Sequence, residues 1–274
     1  MIRNQNQIEQ QQPKIGLALG AGGARGLAHI GILQVLEEHN IPVHCIAGSS
    51  IGALVGSFYA VGHSPQQMRK FLSLFPQKYW LDYTVPKMGF IAGDKVKEIV
   101  RMLTKNKRIE ELDKPLAIVA THLHKGERTV FRQGSIAEAV RASVSIPGIF
   151  EPAVIDGELY VDGGVVDRVP VSVLKEMKAD LIVAVDVSYV GETNHQIKSI
   201  FDVIAQTIDI MEREILKYRM FDVDVLIRPQ VNAYSTTMFY RGEEIIQEGV
   251  RSAEQAMPRI QESIRKWRES NTHV

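Results

Sequence analysis

The chain has 274 residues, 45% hydrophobic and 23% charged, which is the composition of a packed globular protein long enough for one sizeable core, not of a disordered or fibrous chain. Its 32 Lys plus Arg balance 32 Asp plus Glu, so no global field draws it to nucleic acid, which is excluded as a default partner. A single cysteine, Cys45, rules out an internal disulfide and a thiolate metal cluster and fits a reducing, cytoplasmic compartment.

Residues 1–13 are Gln-rich, carry no apolar run of the secretory type and read as a disordered tail, leaving one domain over 14–274. Residues 15–19 form a short apolar run ending at Gly20. Beyond the glycines, Leu27, Ile30, Leu33, Val35 and Leu36 recur at helical spacing up to Glu38. Residues 43–47 read as a second strand and 51–60 as a second helix. The stretch 43–62 lacks Asp, Glu, Lys and Arg over about the length a bilayer needs. His44, three serines and four glycines interrupt it, so a buried strand, a turn at 48–52 and a buried helix explain it better.

Residues 65–108 concentrate ten Lys or Arg against Asp82, Asp94 and Glu98, together with Phe71, Phe75, Tyr79, Trp80, Tyr83 and Phe90. Cations among aromatic rings suit the mouth of a site that meets an anionic bilayer. A pair of amphipathic helices covering the sheet with a solvated basic face accounts for the pattern equally well. Further strands are expected at 115–121, 128–131, 181–187 and 223–227, with helices at 136–142, 171–177 and 200–217. Asp156-Gly157 reads as a hairpin turn. Residues 242–268 form a last surface helix, interrupted at Pro258. The alternation predicts an α/β protein with a parallel or mixed sheet and helices on both faces.

Gly20 to Gly26 joins a strand to a helix, and glycines there leave backbone amides uncovered beside a helix N-terminus, a setting suited to an anion. A dinucleotide site would want an acid at the end of the next strand, where Ala47-Gly48-Ser49-Ser50 stands instead. A phosphate loop would want Gly-Lys-Ser or Gly-Lys-Thr, where Arg25-Gly26-Leu27 stands. An oxyanion hole remains. Gly48-Ser49-Ser50-Ile51-Gly52 fits G-x-S-x-G between a strand and a helix, the setting of a nucleophile elbow.

A serine needs a base. His195 and His273 lie late enough in the chain, but both stand in polar segments without an orienting acid; His29, His122 and His124 read as structural. Asp162, in Tyr160-Val161-Asp162-Gly163-Gly164, ends a strand at a glycine turn, at a sheet edge with little covering it. The residues alone leave open whether it acts as a base or only turns the chain. Cys45, inside an apolar strand, reads as a small core residue.

Four motifs together carry a resemblance: Gly20 to Gly26 with Leu27-Ala28-His29-Ile30-Gly31, Gly48-Ser49-Ser50-Ile51-Gly52-Ala53, Ala142 to Phe150 with Ser143-Val144-Ser145-Ile146-Pro147-Gly148, and Asp162-Gly163-Gly164. In that order the chain resembles the patatin-like phospholipases, specifically their short bacterial branch. The resemblance implies a three-layer α/β/α sandwich around a mostly parallel central sheet and hydrolysis of acyl esters in lipids, with no cofactor and no metal. By position it implies Ser50 as nucleophile, Asp162 as base, the amides of Gly22 and Gly23 as oxyanion hole, and Arg25 with Gly26 supporting the loop. The family's G-x-G-x-x-G reads Ala21-x-Gly23-x-x-Gly26 here, a departure confined to the start of the loop, and after about residue 190 no motif matches. Two other classes stay in view: a non-catalytic adaptor keeping the fold, and a nucleotide-binding regulator, which the missing ribose acid disfavours.

Overall fold

The computed structural model describes residues 12–85, 88–188, 197–217 and 222–271. The expected tail, except for its last two residues, lies outside the described residues, as do His195 and His273. One sheet holds eight strands: β1 (Ile15–Leu19), β2 (Cys45–Ser49), β3 (Leu116–His122), β4 (Glu127–Phe131), β5 (Ala153–Ile155), β6 (Glu158–Asp162), β7 (Leu181–Val185) and β8 (Val225–Ile227). Eight described helices accompany it: α1 (Ala28–Glu38), α2 (Ile51–Val61), α3 (Pro65–Leu74), α4 (Asp94–Leu103), α5 (Ile136–Ser143), α6 (Val171–Glu176), α7 (Ile200–Lys217) and α8 (Gly242–Asn271). Strands β3, β2, β1, β7 and β8 are parallel neighbours in that order; β4 pairs antiparallel with β3, and so does β6, which carries β5 antiparallel beside it.

Every residue of β1, β2, β3 and β7 is buried, as strands covered on both faces must be, which is why these segments read as unbroken apolar runs. The two faces nevertheless differ in size. Leu17, Leu19, Ile46, Leu116, Ile118, Val183 and Val185 pack into the layer of α1, α2, α5 and α8. Alternate residues Ala18, Cys45, Ala47, Ala117, Val119, Ile182 and Ala184 meet the short α6. The small side chains on that face let a six-residue helix close the layer, and the expected three-layer, mostly parallel architecture is what results.

Several boundaries move. Strand β2 runs two residues later than expected because its ladder pairs Gly48 with Leu19 and Ser49 with Val119, carrying the strand up to the elbow. Asp156 and Gly157 do form a hairpin turn between β5 and β6, both with positive φ (52° and 81°). Helix α8 passes through Pro258 without the expected interruption, its buried side continuing across it through Ala256, Met257, Ile260 and Ile264; packing outweighs the lost backbone bond. Helices α1 and α8 cross in backbone contact: a Cβ on Gly31 would lie 2.1 Å from the Ile246 carbonyl oxygen, and one on Gly249 2.0 Å from that of Ala28.

The basic segment 65–108 does contain a helix pair. Helix α3 packs on α1 and α4 on α5, while the loop between them is fastened to residues 146–151, the Phe90 and Ile91 amides donating to the Ile149 carbonyl.

Candidate active site

Strand β3 brings the two ends of the site together. Strand β2 pairs with residues 116–119 of β3, β4 with 118–122 and β6 with 120–122. Since β4 overlaps both of the others, it must take one edge of β3 and leave β2 and β6 to share the opposite one. Running in opposite directions, those two strands meet head-on: Ser49 stands opposite Val119 and Asp162 opposite Ala120. The next residue of β2's chain is Ser50.

Ser50 has φ 54° and ψ −125°, a conformation that an L-residue adopts only under constraint, at the cap of α2 with Gly48 and Gly52 on either side. Part of the constraint is visible. The Ser50 amide donates to Ser143 Oγ at 2.8 Å, and that hydroxyl donates to the Val119 carbonyl at 2.6 Å, so a buried serine pins the elbow to β3. The Ser50 hydroxyl donates to Asp162 Oδ2 at 2.5 Å, and the Gly164 amide, in the turn Gly163–Val165, donates to Asp162 Oδ1 at 2.7 Å. Asp162 is 4% exposed, against the expectation of an uncovered sheet edge, because α7 lies over it. Burial, and secondarily the charge of Glu212, push its carboxyl up to about 7 from 3.8, against the opposing hydrogen bonds from Ser50 and Gly164 and the Arg168 charge.

The glycine loop faces this pair. The amides of Gly20, Ala21 and Ala24 donate to the carbonyls of Val185, Arg168 and Thr236. Those of Gly22 and Gly23 border the same cavity as Ser50 and Asp162 and donate to no acceptor among the described residues. Gly23 has φ 55°, and a Cβ there would lie 2.4 Å from the Thr236 carbonyl oxygen, so the loop's path requires glycine. Gly26 sits under Ile51, and Ala21, at the variant position of the motif, lines the cavity without disturbing the loop's hydrogen bonds.

Behind the loop stands a buried ionic cluster of which the sequence disclosed only Arg25. Arg25 donates to Asp209 Oδ1 at 2.5 Å, Arg168 donates to the same oxygen at 2.8 Å, and Arg168 also pairs with Glu212. Burial alone would raise Asp209, but the two guanidiniums hold its carboxyl below the usual range; Glu212 is pushed up by burial in spite of Arg168. Both acids come from α7. Their spacing at i and i+3 marks one helix face, the only sequence signal they leave. Among the described residues no histidine lines the cavity. His29 is fully buried, donates to the Gly20 carbonyl at 2.8 Å and is lowered by burial to about 4, so it is a neutral strut; His122, the last residue of β3, faces Glu158 outside the cavity.

A parallel α/β sheet with an elbow serine hydrogen-bonded to a strand-end carboxylate, opposite two unengaged amides, defines the class of α/β proteins built around an elbow serine. The family model of patatin-like phospholipases matches residues 17–175, and the chain belongs to that family. It is 38% identical over 178 residues to an uncharacterised NTE-family protein of Mycobacterium bovis, covering 64% of this chain and 49% of that one. It is 29% identical over 272 residues to the lysophospholipase NTE1 of Pyricularia oryzae, covering 86% and 18%, and 32% identical over 188 residues to patatin-like phospholipase domain-containing protein 6 of Mus musculus, covering 66% and 14%. The chain thus spans about half the length, or less, of the curated relatives it matches. The crystal structure of VipD from Legionella pneumophila shares the fold, with a TM-score of 0.62 at 16% identity over 89% of this chain and 66% of that one.

Proposed function

We propose that the protein is a serine acyl hydrolase that cleaves fatty-acyl ester bonds of lipids through Ser50 and Asp162. The observation that carries this reading is the 2.5 Å hydrogen bond from the Ser50 hydroxyl to a carboxylate whose burial makes it a base near neutrality. Asp162 takes the Ser50 proton as Oγ attacks the ester carbonyl, and the oxyanion forms against the Gly22 and Gly23 amides. Collapse breaks the bond to the alcohol, which leaves with the proton from Asp162. Water, deprotonated in turn by Asp162, then attacks the acyl carbonyl; the bond to Ser50 Oγ breaks, Asp162 returns the proton to Oγ, and the fatty acid leaves. Arg25 and Gly26 support the loop, and Ser143 holds the elbow. The lipid hydrolase names of the family and of its fungal and mouse relatives favour this substrate class.

Ser50→Ala abolishes hydrolysis of a short-chain nitrophenyl ester under this reading, and a fluorophosphonate labels the wild type at Ser50 alone. A folded wild type that hydrolyses no ester and takes no label is instead an adaptor that has kept the fold. No described helix is long and apolar enough to cross a membrane; a cytoplasmic site of action, peripheral at the inner face of the membrane, fits the single buried Cys45. For the expected anionic contact of residues 65–108 less charge is at hand than the count implies, since Arg69, Lys97, Arg101 and Arg108 pair with Glu243, Glu138, Glu98 and Glu110.

A further inference from the structure

Ser50 and Asp162 are each only 4% exposed, and the cavity they border has a volume of about 40 Å³. That is room for roughly three waters, against the several hundred Å³ of a pocket for a lipid-sized ligand. The cavity opens to solvent but is too narrow beside Ser50 for an acyl chain, so a lipid ester settles there only when one of its walls gives way. Helix α7 supplies one wall of it, through Ala205, Ile208, Asp209 and Glu212.

Helix α7 turns large apolar side chains to water as well as to the protein. Its inward face sets the two acids that grip Arg25 and Arg168 beside Phe201, Ile204 and Ala205, which pack with Ile91, Ile149 and Phe150, while its outward face carries Ile200, Val203, Ile210, Met211 and Ile215, between 42% and 62% exposed. A surface helix in water keeps such an outward face polar. The apolar face is also not isolated. Phe201 of α7 stacks edge-on against Phe90, at 5.4 Å between ring centroids. Phe90 belongs to the loop that exposes Tyr83 (69%), Val85 (81%) and Met88 (56%). Lys95 beside that loop and Lys198 ahead of α7 are exposed as well, which completes the composition of an element that lies in a membrane interface: large apolar side chains, an aromatic ring and a rim of lysines.

We propose that the outer face of α7 is the docking surface for a lipid–water interface, and that docking carries the helix off the Ser50–Asp162 cavity. This rests on the hydrolase reading for its purpose, though the docking itself does not require it. A lipid surface is favoured over a second copy of the chain because the patch lies on a wall of the cavity: a protein seated there would hold that wall in place, whereas a lipid surface holds the ester that has to pass it. The contact is mainly apolar, so zwitterionic lipid suffices.

The test uses the full chain and the triple variant Ile200→Gln, Val203→Gln, Met211→Gln, whose side chains are exposed and lie away from the cavity. Glutamine keeps the helix propensity. Both proteins are assayed on a monomeric nitrophenyl ester, with and without phosphatidylcholine vesicles, and by co-sedimentation with those vesicles. We expect equal rates on the monomeric ester without vesicles. With vesicles, the wild type is faster and sediments with them, and the variant loses both effects by at least about tenfold, since three apolar side chains in a lipid contact are worth more than one decade of affinity. A variant that sediments like the wild type overturns the proposal. So does a wild type that is a dimer without vesicles when the variant is a monomer, because the patch is then the dimer interface. If the wild type sediments and the variant does not, but neither hydrolyses any ester, docking stands and the hydrolase reading falls.

Discussion

In the proposed reaction Asp162 faces two opposed demands: as a base it must be charged when it meets Ser50, yet its burial favours the neutral form. The balance sets a pH dependence. With the carboxyl at about 7, kcat/KM on a nitrophenyl ester rises as pH passes upward through about 7 and falls away on the acid side, where Asp162 is protonated. The same value has a consequence for stability. The folded-state value lies above the 3.8 of the unfolded chain, so the contribution of Asp162 is fully present below about pH 4 and is lost as pH rises through about 7. Asn at this position stays neutral throughout and still offers an oxygen to the Gly164 amide. Asp162→Asn is therefore expected to lower turnover at least about a hundredfold, as loss of a general base does, and to melt several degrees above the wild type near pH 8, with the gap closing near pH 4. Thermal melts at the two pH values, read beside the pH–rate profile, check both halves; a variant less stable than the wild type at pH 8 would show that burial does not strain the charge.

At the scale of elements, the α1–α8 crossing is as constrained as the active-site loop. A side chain on Gly249 has to occupy the space of the Ala28 carbonyl oxygen, 2.0 Å from where its Cβ would stand. The helices separate or the chain bends, and overpacking of this kind costs about 1–3 kcal/mol. Gly249→Val is expected to lower Tm by several degrees, whereas Gln255→Val, exposed on the same helix, leaves it nearly unchanged; equal melting of the two variants would sink the account. Such contacts separate what the sequence discloses from what it conceals. Strand β1, the elbow and α2 were legible because their signals are local: an apolar run, glycines around a serine, helical spacing. Asp162 was legible only as one of two readings until the four motifs were taken together. Arg168, Asp209 and Glu212 were not, since a buried ion pair has no local signature, and Gly249 passed for an ordinary helix residue because the backbone it touches is more than 200 positions away. The burial of Asp162 escaped for the same reason, its cover being α7.

For the molecule as a whole, these contacts divide a rigid sheet from a less firmly held cover. Strands β1, β2 and β7 are buried on both faces by apolar packing, which water cannot replace without exposing the core. Helix α7 joins only a small apolar cluster, Phe201, Ile204 and Ala205 against Ile91, Ile149 and Phe150, and is held besides by two acids on two arginines and a hydrogen bond from Thr237 to Asp202. Desolvation offsets much of what the buried ion pairs contribute, and the apolar outer face of the helix adds nothing while it stands in water. The opening free energy of α7 should then lie well below that of the sheet, in a unit that detaches alone. Native-state hydrogen exchange measures the difference. Amides in the middle of α7 are expected to exchange at least about a hundredfold faster than those of β1, through a local opening that low denaturant barely accelerates, while β1 follows global unfolding. Protection of α7 equal to that of β1, with the same denaturant dependence, would mean that the helix leaves only when the whole chain unfolds, and an ester would then have to reach Ser50 without displacing it.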